Sequence, residues 1–363
     1  MRIFYVAYPL LTVSRDSAGG AEQMLWTLER EMARLGVETT VAASAGSTVA
    51  GELFSTGQPC RATDDFDRRN REHQDKIVEF IRRHARQGQA FDLVHDMSGS
   101  FWPRAVEIDA PVLATLHLPR HFYPPQYFQE IPANVSFICV SDSQASGFAG
   151  LDSLQGVAAN GIALDLFGPN HGPHHGRRNG LLWLGRICEE KGPHLSLDIA
   201  ARAGLAIILA GQVYPFSYHQ RYFGNEVAPR LRQMPNATFV SLPSFDLKRQ
   251  LLGEAHAVLI TSQVDETSSL VAMEAAASGT PVIASRRGAL QEVVRDGVTG
   301  FLADSVEDYI DALRRLREID SAACVRYARE HFTSTTMAQG YVRHYARILD
   351  ESSRRLEPSG SSR

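Results

Sequence analysis

The chain has 363 residues, 44% of them hydrophobic and 21% charged, the composition of a globular protein with room for two domains. A formal net charge of -4 gives no field that would hold it to nucleic acid or an acidic membrane, so no nucleic-acid partner is expected. Its four cysteines, Cys60, Cys139, Cys188 and Cys324, are far apart with no C-x-x-C pair, which suggests neither a zinc site nor a disulfide framework and suits a reducing cytoplasm.

The first apolar run, Ile3–Tyr8, has strand length, is too short for a signal-peptide core, and is broken by Pro9. Further strand candidates are Thr39–Ala43, Leu93–His95, Val112–His117 and Val135–Val140, with helical periodicity over Ala21–Leu35 and Asp64–Arg86. This alternation predicts βαβ units and a parallel sheet with helices on both faces. Asp65-Phe66-Asp67 matches a D-x-D metal-binding pattern, but it lies in a mixed-charge helical run and not after an apolar strand. A solvated helix face with i,i+4 ion pairs is therefore expected there.

Residues Gly168–Gly180 are rich in Gly, Pro and polar side chains and predict an interdomain linker. His171, His174 and His175 in it have no accompanying carboxylate or cysteine, so a solvated linker is expected rather than a metal site. The alternation then restarts. Strand candidates are Leu181–Leu184, Ala206–Ala210, Thr238–Val240, Ala257–Ile260 and Pro281–Ala284; helix candidates are Pro193–Arg202, Asp246–Glu254, Ser268–Ser278, Val306–Glu318 and Ser321–His331. Thr336–Leu349 predicts a long terminal helix, and Arg354–Arg363 a disordered tail. No run approaches the roughly 18 apolar residues of a membrane span, so a soluble cytoplasmic protein is the expectation.

The predicted organisation is an α/β domain over 1–167, a linker over 168–180 and a second α/β domain over 181–335, with a helix at about 336–352 packing back on the first. Two such halves place a ligand in the cleft between them, at the carboxyl ends of the strands.

Chemistry concentrates in the second half. In Leu181-Leu-Trp-Leu-Gly-Arg-Ile-Cys-Glu-Glu-Lys-Gly-Pro-His194 an apolar strand ends at Gly185, and Arg186 and Lys191 follow within one loop. Two cations there can neutralise a diphosphate. In Asp265-Glu-Thr-Ser-Ser-Leu-Val-Ala-Met-Glu274, Glu266 follows a strand and Glu274 lies inside the next helix. If Ser268 starts that helix, its free N–H groups form an anion site, and a carboxylate one turn further in can accept ribose hydroxyls.

This segment resembles the E-x7-E signature of family 4 retaining glycosyltransferases, which have the GT-B fold of two Rossmann-like domains facing across a deep cleft. Further similarity lies in Gly279-Thr-Pro-Val-Ile-Ala284, Gly288-Ala-Leu-Gln-Glu-Val-Val-Arg-Asp-Gly-Val-Thr-Gly-Phe301, Gly185-Arg186 with Glu190-Lys191-Gly192, Gly19-Gly20-Ala21-Glu22 and Asn160-Gly161-Ile162. The resemblance implies that Arg186 and Lys191 bind the donor diphosphate and stabilise its leaving charge. Glu266 would contact the donor sugar, the N–H groups of Ser269 and Leu270 a phosphate, and Glu274 the ribose. Gly19 and Gly20 would let backbone approach the phosphate or sugar, Gly185 would belong to the donor site, and His117 would stand beside the sugar. His95, Phe122 and Tyr123 are candidates for the acceptor side, the last two in the aromatic stretch Pro119–Phe128. Tyr214–Arg221 is a candidate to flank the base or donor sugar.

The implied activity is transfer of a sugar from a nucleotide-diphosphate sugar to a hydroxyl acceptor, by front-face reaction with retention, without metal and without a further cofactor. Where the family often reads Glu-Pro-Phe-Gly-Leu, this chain has Glu266-Thr-Ser-Ser-Leu270, which puts the usual sugar specificity in doubt. The alternatives are a nucleotide-sugar hydrolase or epimerase, or a sugar phosphorylase, on the same fold, or a non-catalytic carbohydrate-binding protein. No G-x-G-x-x-G follows a strand, and P-loop and G-x-S-x-G motifs are absent.

Overall fold

The structure, a computed structural model, describes residues 1–60, 65–167 and 180–356. All but Gly180 of the predicted linker, its three histidines included, and the end of the tail lie outside the described residues. The chain forms two compact units, one of Met1–Ala159 with the chain from Thr335 onward, the other of Asn160–Ser334.

The first unit holds β1 (Arg2–Val6), α1 (Gly20–Arg34), β2 (Glu38–Ala43), β3 (Glu52–Ser55), α2 (Phe66–Arg86), β4 (Leu93–Asp96), β5 (Val112–Thr115), β6 (Val135–Cys139), α3 (Asp142–Gly147) and β7 (Leu154–Val157). The strands make one sheet in the order β3-β2-β1-β4-β5-β6-β7, every pair parallel. The second unit holds β8 (Leu181–Arg186), α4 (Pro193–Ala203), β9 (Ile207–Gln212), α5 (Ser217–Tyr222), α6 (Ala228–Gln233), β10 (Ala237–Ser241), α7 (Phe245–Glu254), β11 (Ala257–Ile260), α8 (Leu270–Ala277), β12 (Val282–Ser285), α9 (Leu290–Val293), β13 (Gly300–Ala303), α10 (Val306–Arg315) and α11 (Ser321–His331). Its sheet runs β10-β9-β8-β11-β12-β13, again all parallel. In both sheets the chain winds outward from a central strand, reverses, and winds out the other way. That reversal makes a crevice at the carboxyl ends of β1 and β4, and of β8 and β11.

Burial explains the predicted elements. The β11 run Ala257-Val-Leu-Ile260 is buried along its whole length, as are β4, β5 and β12, and a strand covered on both faces reads as a continuous apolar run. Three strands were not predicted: β3, β7 and β13. Each lies at a sheet edge, and β3 and β7 are only half-buried, so their apolar signal is weak. Asp65 and Phe66-Asp67 do sit at a solvated helix start, where Arg68 pairs with Asp65 at 2.5 Å and with Glu72 at 2.6 Å.

The domain boundary falls at Asn160 and not after 167. Ile162 forms a parallel bridge with Thr333, its N–H donating to Phe332 O at 2.8 Å and its carbonyl accepting from Ser334 N at 2.9 Å. Phe167 packs edge-on against Phe245 of α7. The two passes of chain that bound the second unit thus pair within it.

The terminal helix α12 (Ser334–Leu356) presents Met337, Ala338, Tyr341, Tyr345 and Ile348, all buried, at the three- and four-residue spacing of one helical face. In the first unit Tyr345 Oη lies 3.3 Å from Tyr5 Oη, and Tyr341 Oη 3.1 Å from Thr115 Oγ1. Among the described residues no helix is long and apolar enough to cross a membrane.

Candidate functional site

β8 carries Arg186 to its carboxyl end, and the chain then turns through Cys188–Gly192 into α4. Gly192 caps α4 with φ 62°, and a Cβ there would lie 2.2 Å from Thr261 O, so only glycine fits. The turn is fastened to the segment after β11: Thr261 Oγ1 donates to Gly192 O at 2.7 Å, and Gln263 N to Glu190 O at 2.7 Å. That fastening brings Lys191 to Glu266. Lys191 Nζ donates to both Glu266 carboxylate oxygens at 2.6 Å, and Ser262 Oγ donates to Oε1 as well. Glu266 is buried while Lys191 keeps a third of its side chain exposed.

The backbone of Glu266 is fixed in turn. It bridges Gly288, and Ala289 N donates to Glu266 O at 2.7 Å. Gly288 has φ 54°, and a Cβ on it would meet Glu266 O at 2.4 Å. This is the physical reason for a glycine at the head of the Gly288–Phe301 stretch.

The helix expected to start at Ser268 starts two residues later. Ser269 is its N-cap, the Oγ accepting from Ala272 N at 3.3 Å, and Leu270 is the first helical residue. The serine that replaces a family glycine therefore acts as a cap. The N–H groups of Leu270 and Val271 open the helix with no intrahelical acceptor, as at any helix start. Beside them Ser268 Oγ is buried without a hydrogen-bond partner among the described residues.

Glu274 is 4% exposed. Its Oε1 accepts from Lys248 Nζ of α7 at 2.6 Å, and Lys248 lies over the Phe245 ring at 5.1 Å. Lys248 was missed by the sequence reading. Its signal was weak but real: Lys248 shares a helix face with Leu251 and Leu252, both buried, and a lysine on an apolar face needs a partner.

At the end of β8, Gly185 pairs with Gly211 of β9, where a Cβ on Gly211 would strike Gly185 O at 1.8 Å. The Arg186 guanidinium lies 5.9 Å from the centre of the Tyr214 ring, and its Nε is buried without a partner among the described residues. Arg186, Lys191, Glu266 and the α8 N-terminus thus stand at adjacent carboxyl ends of β8 and β11, with Glu274 one turn inside α8.

The first-unit candidates divide. Gly19 caps α1 and Gly20 is its first residue. The space a Gly19 Cβ would need holds the Glu22 carboxyl, with Oε2 1.9 Å away, and burial pushes Glu22 up to about 7. His117 is half-buried, and burial holds its pKa down to about 4, so the ring is neutral near pH 7. Two acceptor-side candidates are corrected. His95 is fully buried, Nδ1 hydrogen-bonded to Tyr345 Oη at 2.7 Å and Nε2 to Thr115 Oγ1 at 2.8 Å; α12 covers the strand end that looks open in the sequence. Tyr123 is also interior, its hydroxyl accepting from His117 N and Leu118 N and its ring packed on Phe128 and Phe148. Phe122 beside it is 43% exposed.

Residues 178–318 match the family described as glycosyl transferases group 1, and residues 18–146 match glycosyltransferase family 4. A D-inositol 3-phosphate glycosyltransferase from Geodermatophilus obscurus is 33% identical over 202 residues, 47% of this chain and 43% of that protein. The chain thus spans less than half the length of this relative. Among solved structures, sucrose-phosphate synthase from Thermosynechococcus elongatus aligns with a TM-score of 0.76 at 19% identity, over 97% of this chain and 100% of that one. HepE from Anabaena, in complex with UDP and glucose, aligns with a TM-score of 0.72 at 17% identity, over 96% and 100%. At these identities the structural likeness is one of fold. Two matched segments, one of them containing every residue from Arg186 to Glu274, on two doubly wound parallel sheets, lead to one conclusion: the chain belongs to glycosyltransferase family 4 and has the GT-B fold.

Proposed function

We propose that this protein transfers a sugar, with retention, from a nucleoside-diphosphate sugar to a hydroxyl group. One observation supports the reading above others: two cations, a helix N-terminus and a buried carboxylate one turn inside that helix stand together at the carboxyl edge of the second sheet. In this reading Arg186 and Lys191 balance the charge that develops on the leaving diphosphate, in place of a divalent ion on the phosphates. The N–H groups at the α8 N-terminus, those of Ser269 and Leu270, take a phosphate oxygen. Glu266 aims Lys191 and contacts the sugar, and Glu274, steadied by Lys248, accepts from the ribose. The leaving diphosphate takes the acceptor proton on the front face, so the protein supplies position and charge stabilisation. In the first unit, His117, neutral near pH 7, and the exposed Phe122 are the candidates to meet the sugar and the acceptor. All four cysteines are buried, and their wide spacing along the chain suits a reducing compartment.

A thermal-shift series with UDP-, GDP-, ADP- and dTDP-sugars tests the donor, because a ligand that binds only the folded chain raises its melting temperature. With the donor found, Arg186→Ala and Lys191→Ala are each expected to lower turnover about 10²–10³-fold, as for loss of a preorganised transition-state donor. Near-normal turnover in both sinks the assignment. Hydrolysis of the donor without transfer over a broad acceptor panel makes the protein a nucleotide-sugar hydrolase instead.

A further inference from the structure

Beyond the cations at the end of β8 lies a cluster that the transferase reading does not use. Cys188 and His219 are buried and Glu190 is half-buried, and one ligand atom from each lies within 4.8 Å of the other two. Cys188 and Glu190 alternate along the turn after β8, and His219 comes from α5, beyond β9. Neither ring nitrogen of His219 has a hydrogen-bond partner among the described residues, and neither has Glu190 Oε2. His219 is fully buried, with Tyr214, Phe216 and Tyr218 around its ring at 4.2–5.8 Å between centroids. A buried imidazole with both nitrogens unmatched is costly unless something else meets them.

We infer that Cys188, Glu190 and His219 form a zinc site that ties the turn carrying Arg186 and Lys191 to α5. The donor set is one thiolate, one carboxylate and one neutral imidazole, the S, O and N ligands zinc takes, with a fourth position left to water. Bond lengths of about 2.0–2.3 Å put tetrahedral donors roughly 3.3–3.8 Å apart, so the observed spread closes by about 1 Å, within reach of side-chain rotation. As the Zn–Sγ bond forms, Cys188 gives its proton to solvent. The thiolate and carboxylate then cancel the charge of Zn²⁺, so the filled site is neutral beside Arg186. The metal is a tie and not the Lewis acid of the transfer step, and the inference holds whether or not Arg186 binds a diphosphate. It revises the expectation, from cysteine spacing alone, that no cysteine here meets a metal.

The test uses the full chain, purified without chelator. Metal analysis is expected to find one zinc per chain, and cobalt(II) substitution to give a near-ultraviolet thiolate-to-metal charge-transfer band. Cys188→Ser is expected to remove the band. His219→Gln should weaken cobalt binding by more than the roughly 10–100-fold typical of losing an outer-shell partner. Replacing His171, His174 and His175 with Gln is expected to leave the band intact, which separates this site from histidine binding elsewhere. A folded wild-type chain with no thiolate band overturns the inference, whatever the variants do; so does a band that survives Cys188→Ser.

Discussion

The strands β4 and β11 hold the same place in their sheets, next to the central strand on the side where the winding reverses, and they end in opposite ways. After β4 the protein fills its own anion site. Asp96 is fully buried, and its carboxylate accepts from Ser98 N, Gly99 N, Phe101 N and Trp102 N at 2.9–3.0 Å. After β11, among the described residues, no such carboxylate accepts from the N–H groups of α8 and Ser268 Oγ has no partner; Glu266 turns instead to Lys191. The same turn of the same fold is closed by its own carboxylate in one unit and is the proposed phosphate site in the other. Polar groups that are fully matched internally mark the first kind, and groups left for a partner mark the second.

The largest test of this contrast is Lys248→Met. It leaves Glu274 buried without its cation, which is expected to destabilise the second unit by about 3–5 kcal/mol, read by urea denaturation. The double variant Lys248→Met with Glu274→Leu should recover most of that stability and still fail to bind the nucleotide. Full binding by the double variant removes Glu274 from the donor site. Next in size, Asp96→Ala strands several buried N–H groups and should cost on the order of 3 kcal/mol with no direct loss at the donor site. The smallest change is the most pointed. Ser269→Asp keeps a good N-cap and adds a negative charge at the helix N-terminus, so it should stabilise by about 0.3–1 kcal/mol. The same charge occupies the place assigned to a phosphate, and donor affinity is expected to fall. A rise in stability with unchanged donor affinity moves the phosphate away from α8.

Much of this was legible in the sequence. The buried runs of β4, β5, β11 and β12 announce parallel strands, and Arg186, Lys191, Glu266 and Glu274 stand out by motif and by position after a strand. Pairings between distant residues were not legible. Lys248 lies 26 residues before the glutamate it meets, and Tyr345 lies 250 residues after His95. His95 was misread for that reason: a polar residue closing a strand looks the same whether the crevice beyond it is open or roofed by a helix from the far end of the chain. Edge strands β3 and β7 were missed because half-solvated strands carry little apolar pattern. The fastening of the Lys191 turn by Thr261, Ser262 and Gln263 left no trace in composition or spacing.

The paired crossings at Ile162 and Thr333 mean that the second unit is inserted into the first. On the ribosome, the β1–β7 sheet emerges early but waits for Tyr341 and Tyr345 to cover Tyr5 and His95. At about 5–20 residues per second, synthesis of the intervening Asn160–Ser334 segment takes roughly 9–35 s. Through that interval the first unit has an unroofed polar strand end, and the second can close before it. The domain made first is therefore completed last, and its exposure to chaperones and proteases during synthesis is set by the length of its neighbour.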